Sequence, residues 1–158
     1  MTRVAVALGS NVGDRAAHLD FAVTRLAPIL SSLRISRWYE TEPVGVGRQP
    51  PFLNGAAVGT TELPAHAVLD ALLAIERERG RERPYAGAPR TLDLDLVLFG
   101  DRIIDEPGLT VPHPRFRERR FVLEPLCEIA SDLVDPVSGR TARQLLDALE
   151  SKPATRMI

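Results

Sequence analysis

The sequence is short of lysine, cysteine, aromatic residues and long apolar runs. Lys152 is the only lysine among 20 Lys and Arg residues, so nearly all positive charge is arginine. Arginine is always charged and offers a planar fork that suits phosphate. A codon bias across a whole genome gives the same composition, so position must decide which reading applies. Cys127 is the single cysteine. That excludes a disulfide framework and a cysteine zinc cluster, and it fits a reducing compartment. Between Leu126 and Ile129 it reads as a small buried hydrophobe. Aromatic residues make up 5% and the formal net charge is -1. No global field draws such a chain to nucleic acid or to an anionic membrane. The first apolar run, in MTRVAVALGSN, is too short for a secretory core, and nothing later approaches a membrane span. The expectation is a cytoplasmic protein.

The 158 residues, 44% hydrophobic and 26% charged, fit one soluble domain with a real core. Val4 to Leu8 predicts a buried strand, broken by Gly9, Ser10, Asn11 and Gly13. Asp14 is placed to cap a helix carrying Leu19, Val23 and Leu26 on one face. Leu33 to Tyr39 alternates as a second strand. Thr41 to Pro51 is a long loop rich in proline and glycine, of the kind that more often serves function. Phe52 to Val58 resumes strand character. Pro64 opens a helix running to about Arg79, with Gly80 as its stop. Arg81 to Pro89 is a second punctuated loop. Phe121 to Ala130 reads as a short apolar helix or turn, and Thr141 to Leu149 as an amphipathic helix. Helices interleave with strands, which restricts the class to α/β or α+β.

The stretch RTLDLDLVLFGD, residues 90–101, carries the sharpest chemistry. Leu92, Leu94, Leu96 and Leu98 alternate as one buried strand face. Asp93 and Asp95 fall on the other face, followed by Val97 and Phe99. On one strand, such i and i+2 positions lie roughly 6.5 Å apart. Two carboxylates this close raise each other's energy unless something neutralises them. They form either a solvated outer face or a seat for a divalent cation. Magnesium prefers a few carboxylates, several waters and a substrate phosphate. Arg81, Arg83 and Arg90 lie just upstream, and beside a metal-binding pair they read as phosphate contacts. Glu76, on the apolar side of its helix, is either a partner for an arginine or a polar group facing a pocket. His113 sits between Pro112 and Pro114; a lone histidine there is usually structural, and with Arg115, Arg117, Arg119 and Arg120 following, the alternative is a contact to a nucleotide phosphate. The GSNVGD turn lacks the lysine of a P-loop and reads as a tight turn. In PPFLNGAA, Phe52 and Asn54 share a strand face. An aromatic ring beside an amide suits a flat heterocycle.

Taken in order, ALGSNVGD, YETEPVG, FLNGAA, ERERGRER, PRTLDLDLVLFGD and VPHPRFRERRFVLEPL resemble the 6-hydroxymethyl-7,8-dihydropterin pyrophosphokinase family of the folate pathway. The resemblance runs from about Val4 to Val137. It implies a ferredoxin-like α+β domain, with a mostly antiparallel sheet and helices packed on its faces. It implies transfer of pyrophosphate from ATP to the pterin hydroxymethyl oxygen, with AMP released. It implies two magnesium ions held by Asp93 and Asp95. Arg81 and Arg90 match arginines that clamp the phosphates. Arg83, His113 and Arg119 match other nucleotide contacts, to which Glu76 is added as a pocket residue; Leu96 and Thr110 match positions that meet the adenine. On the pterin side, Thr41, Pro43 and Val44 match a loop whose backbone meets the ring. Asn54 matches the amide that reads its edge, and Phe52 and Phe121 match the aromatic pair that sandwiches it. The resemblance leans to a monomer or weak dimer whose partners are ATP and a reduced pterin, without nucleic acid or membrane. No residue is required as general base, because phosphoryl transfer relies on positioning and charge neutralisation.

The chain departs from the family pattern in places. RPYAGAPRT is short and lacks the tryptophan often found before P-R-T, leaving Tyr85 as a substitute. Phe52 stands where tyrosine is common, which keeps stacking and loses a hydroxyl. Gly108 and Pro114 replace an arginine and a tyrosine of some members. Two rival readings are a nucleotidyltransferase with a Gly-Ser turn and a D-x-D strand, and a ferredoxin-like RNA-binding module. The long sequence separation of Ser10 and Asp93 argues against the first. The scarcity of aromatics and the near-neutral charge argue against the second.

Overall fold

A computed structural model describes residues 1–41, 51–80 and 91–150. β1 (Thr2–Ser10) is the central strand, and its apolar alternation serves two cores at once. It pairs antiparallel with β4 (Phe52–Thr61) on one side and β5 (Asp93–Phe99) on the other. β2 (Ser31–Ile35) and the three-residue β3 (Tyr39–Thr41) pair at successive positions along the far edge of β4. The order is therefore β2-β4-β1-β5, with β3 beside β4. α1 (Arg15–Leu26) and α2 (Ala65–Glu78) connect these strands. With β2 and β3 lying end to end along one edge of β4, the path is βαββαβ with its second strand broken in two, every neighbour antiparallel, which is the ferredoxin-like arrangement expected from the resemblance.

One face of the sheet is covered by α1 and α2. Leu19, Ala22 and Leu26 of α1 and Val68, Leu72 and Ile75 of α2 close over Val4, Val6, Leu8, Leu94 and Leu96. The other face carries α3 (Arg120–Ala130) and α4 (Ala142–Glu150). Val122, Leu126, Ile129, Leu145 and Leu146 there pack on Ala5, Ala56, Val58 and Val97. A hairpin of β6 (Ile104–Glu106) and β7 (Leu109–Val111) lies beyond β5; its three-residue strands are too short to show a period in the sequence.

Two expectations from the sequence do not hold in the structure. The alternation in β5 does not run to its end. Val6 faces Leu96 but Ala5 faces Leu98, so Val97 is an extra residue opposite β1. Such a bulge reverses the facing of the residues after it: Leu98 joins the α3 face and Phe99 the α1–α2 face. Asp93, Asp95 and Val97 share a face as expected; Phe99 does not. Nor do residues 33–39 form one strand. The Ser36 N–H bonds to the Ala56 carbonyl at 2.9 Å, while its hydroxyl oxygen accepts the Ala56 N–H at 2.9 Å. That side chain replaces a ladder bond, and Trp38 turns over Gly55. A Cβ at Gly55 would lie 2.4 Å from the Trp38 ring, so only glycine fits.

The segment from His113 to Phe121 is held by a buried ion pair. Arg117, in a short 3-10 turn (Phe116–Glu118), donates from Nε to Asp135 Oδ2 at 2.5 Å and from Nη2 to Oδ1 at 2.9 Å. The Asp135 side chain is 0% exposed. Burial alone would push its carboxyl up. Bonds from Arg117, from the Ser138 hydroxyl and from the Val137 N–H outweigh that and hold it at about 2, against an ordinary 3.8. A folded-state value below the unfolded one means stability that is complete above pH 4 and lost as pH falls towards 2, about 2 kcal/mol in all. Asp135→Asn should lower stability at pH 7 by about that amount. In urea titrations across pH, the gap to wild type should close between pH 4 and pH 2. Equal stability at pH 7 would show that burial cancels the pair.

Candidate active site

The register of the sheet places the chemistry. Gly9 on β1 faces Asp93 on one side and Asn54 on the other, and Asn54 in turn faces Tyr39. Asp93, Gly9, Asn54 and Tyr39 thus form one row across four strands. Cross-strand partners share a face, and this row lies on the face that α3 covers. Asp95, Ala7 and Ala56 form the next row inward.

At the β3–β4 end, Asn54 is 7% exposed. Its side-chain amide donates to Thr41 Oγ1 at 2.6 Å, which fixes the amide nitrogen and orients its oxygen. Phe52 pairs with Thr41 on the same face. Gly9 is the floor: a Cβ there would lie 3.1 Å from Asn54 Oδ1 and 3.7 Å from Phe52 Cδ1. Phe121 opens α3 above this face, with the Arg119 guanidinium 5.5 Å from its ring centroid. Arg15 brackets the strand ends, donating to Glu40 Oε2 at 2.8 Å and to the Pro51 carbonyl at 2.9 Å. Of the residues expected on this side, Thr41, Phe52, Asn54 and Phe121 are brought to one face. Pro43 and Val44 lie outside the described residues.

At the β5 end a cleft opens along the outer edge of the sheet, between α2 and the β6–β7 hairpin. Asp93, Asp95, Leu96, Glu76, Thr110 and His113 all line it. Leu69, Leu73 and Gly108 line it as well; the sequence marked Gly108 only as a departure from the family pattern, and gave no sign of Leu69 and Leu73 beyond apolar helix spacing. Glu76 lines the cleft and also completes the sheet. It is 2% exposed, and its Oε2 accepts the Leu94 N–H at 2.7 Å. The His113 N–H closes the same edge further on, bonding to the Val97 carbonyl at 2.9 Å. Leu96 lies two residues from Leu94, so its backbone groups point to the same edge, into the cleft between those two contacts.

The pKa of His113 lies below the ordinary histidine value. Burial lowers its pKa first, and the Arg119 guanidinium adds to this; the Asp93 carboxylate opposes them, and Arg115 lowers it slightly further. Its Nδ1 accepts the Arg115 N–H at 3.2 Å, which assigns the ring proton to Nε2 and makes that nitrogen a donor. Two of the four downstream arginines are engaged elsewhere. Arg117 belongs to Asp135, and Arg120 pairs with Glu124 at 2.9 Å and Glu150 at 3.5 Å. Arg81, Arg83 and Arg90 lie outside the described residues.

Among the described residues no three His, Cys, Asp or Glu side chains converge into a metal cage. Two carboxylates on one strand face are instead a partial set of hard oxygen donors, which suits a cation that keeps waters and takes ligand phosphates. The separation of Ser10 and Asp93 in sequence is not one in space, since Gly9 is the direct partner of Asp93. Ser10 itself alternates to the α1–α2 face and is 0% exposed, so its hydroxyl does not face the cleft. No helix among the described residues is long and apolar enough to cross a membrane.

Sheet order and a carboxylate pair beside an edge cleft define a ferredoxin-like domain with an acidic cleft at one edge of its sheet. The model of the 7,8-dihydro-6-hydroxymethylpterin-pyrophosphokinase (HPPK) family matches residues 5–131, and the chain belongs to that family. It is 42% identical over 147 residues to a 2-amino-4-hydroxy-6-hydroxymethyldihydropteridine pyrophosphokinase of Synechocystis, covering 92% of this chain and 75% of that one. It is 43% identical over 148 residues to the enzyme so named from Pseudomonas aeruginosa, covering 92% and 91%. In structure it is similar to an HPPK-DHPS of Plasmodium falciparum crystallised with pteroate, at a TM-score of 0.73 and 16% identity. That match covers 92% of this chain and 43% of the Plasmodium chain, and shows the fold alone.

The Glu76 contact makes a direct prediction. Glu76→Leu leaves the buried Leu94 N–H without its acceptor and should cost about 1–3 kcal/mol. Glu76→Gln keeps an acceptor and should cost clearly less in the same urea titration. Equal losses would mean that the contact to Leu94 is not what Glu76 contributes.

Proposed function

We infer that the chain transfers the pyrophosphoryl group of ATP to the hydroxymethyl oxygen of 6-hydroxymethyl-7,8-dihydropterin, giving the pterin diphosphate and AMP for folate biosynthesis. Membership of the family carries the activity. The observation that best supports the residue roles is the row Asp93–Gly9–Asn54, which sets an acidic pair beside an amide and an aromatic ring. The hydroxymethyl oxygen attacks the β-phosphorus of ATP. A new O–P bond forms there as the bond to the oxygen shared with the α-phosphorus breaks; AMP departs with that oxygen, and the hydroxyl proton is released to solvent.

In this reading ATP enters the β5 cleft. The Leu96 backbone and Thr110 meet the adenine at the strand edge. His113 donates from Nε2 to a phosphate oxygen, since its Nδ1 accepts the Arg115 N–H. Arg119 and Arg83 contact the nucleotide, and Arg81 and Arg90 clamp the phosphates. Asp93 and Asp95 hold magnesium, two ions in the family pattern, which neutralise the triphosphate and fix its orientation when bound. The pterin lies over Gly9, its edge read by Asn54, its faces against Phe52 and Phe121, with the backbone of Thr41, Pro43 and Val44 alongside. The reaction asks mainly for positioning and charge neutralisation. Ground-state contacts on the pterin and charge contacts on the phosphates come from opposite ends of one row. Both halves come from a single chain, which supports a monomer. Both substrates are soluble metabolites, which supports a cytoplasmic setting.

Asp95→Asn should abolish magnesium-dependent AMP formation while urea stability stays near wild type. AMP formed at the wild-type rate would remove the metal assignment. Gly9→Ala should raise the pterin dissociation constant about tenfold, equivalent to about 1.4 kcal/mol, because the new methyl must displace the Asn54 amide. ATP affinity should not change, and fluorescence titration with each ligand separates the two.

A further inference from the structure

We propose that Glu128 is a positioning residue that sets the spacing between the two walls of the pterin gap. The inference rests on the reading of the site given above. Among the described residues β3 spans Tyr39–Thr41 at the sheet edge and pairs with β4. An edge strand is held by its ladder on one side, and this one carries Thr41, which orients the Asn54 amide, so what ties it to the helix layer matters. Glu128 supplies the tie. Its carboxylate accepts the Tyr39 O–H at 2.6 Å, the Arg37 backbone N–H at 3.1 and 3.2 Å, and Arg37 Nε at 3.4 Å. The Tyr39 bond is a charge-assisted O–H···O⁻ contact of the short, strong kind. The Arg37 side chain is 81% exposed, so its ion pair adds little. The weight falls on the hydroxyl and the backbone N–H, which fix geometry rather than charge.

The carboxylate sits where that geometry matters. Glu128 follows Phe121 by seven residues on α3. That is two helical turns, so both project to the same side, about 10.5 Å apart along a rigid element. Tyr39 is the register partner of Asn54. The ring on α3 and the amide on β4 are therefore joined through one chain of contacts: Phe121, α3, Glu128, Tyr39, Asn54. A shift of β3 relative to α3 changes the gap that a planar ligand must fill.

Tyr39→Phe removes one O–H and leaves the ring. Glu128→Ala removes the acceptor, and Glu128→Gln keeps it. Tyr39→Phe and Glu128→Ala should each weaken pterin binding about tenfold, the loss of one charge-assisted hydrogen bond. The double variant should be no worse than Glu128→Ala, Glu128→Gln should restore most of the affinity, and ATP binding should be unchanged. A merely structural role would lower both affinities together. Wild-type pterin affinity in Tyr39→Phe and Glu128→Ala, or equal losses for both ligands, would overturn the proposal. If Glu128→Ala does not fold, Tyr39→Phe decides alone. Wild-type protein that neither binds the pterin nor forms AMP overturns the functional reading and this proposal with it. Wild-type protein that forms AMP beside unaffected variants overturns the positioning role only.

Discussion

The antiparallel pairing of β1 with both β4 and β5 is the constraint on which the site depends. Its register brings Gly9 between Asp93 and Asn54. Side chains alternate along a strand with a period of two, so a slip of one residue would send the two aspartates into the apolar face under α1 and α2. The core forbids that slip. Val4, Val6 and Leu8 on β1, with Leu94 and Leu96 on β5, are buried against the helices. The hydrophobic effect therefore fixes a polar row that it does not itself reward.

The same constraint explains how a carboxylate pair is placed in a sheet. β5 is the edge strand of its sheet, and its outer edge is completed piecemeal. Glu76 takes the Leu94 N–H and His113 donates to the Val97 carbonyl. The edge between them borders the cleft, next to the acidic face. The bulge at Val97 then returns the strand to ordinary packing. Beyond it both Leu98 and Phe99 are buried, on opposite faces. The polar and apolar halves of DLDLVLF belong to two different jobs, and the extra residue separates them.

Much of this was legible in the residues. Asp14 caps α1 as expected, its Oδ1 accepting the Ala17 N–H at 3.1 Å, and the D-x-D spacing placed both aspartates on one face. These are local properties, set by periodicity and capping. The rest depends on partners far away in sequence. The bulge in β5 exists only against β1. The division of residues 31–41 into β2 and β3 exists only against β4, where Ser36 substitutes for the backbone. The arginines after His113 look alike in the sequence. Asp135 and the pair Glu124 and Glu150 decide that Arg117 and Arg120 hold the fold, while Arg119 stays beside Phe121 and His113. Glu76 had two readings because its acceptor role is defined by the free edge of a strand later in the chain.

The central claim is that one face of the sheet holds both substrates, with the nucleotide at β5 and the pterin at β3–β4, meeting over Gly9. A crystal structure with manganese in place of magnesium, a non-hydrolysable ATP analogue and the reduced pterin tests it most directly. Anomalous peaks for manganese are expected between the triphosphate and the Asp93 and Asp95 carboxylates, with adenine against the Leu96 edge and the pterin ring over Gly9. Metal bound away from those two carboxylates, or the pterin found outside the row from Gly9 to Asn54, would contradict it.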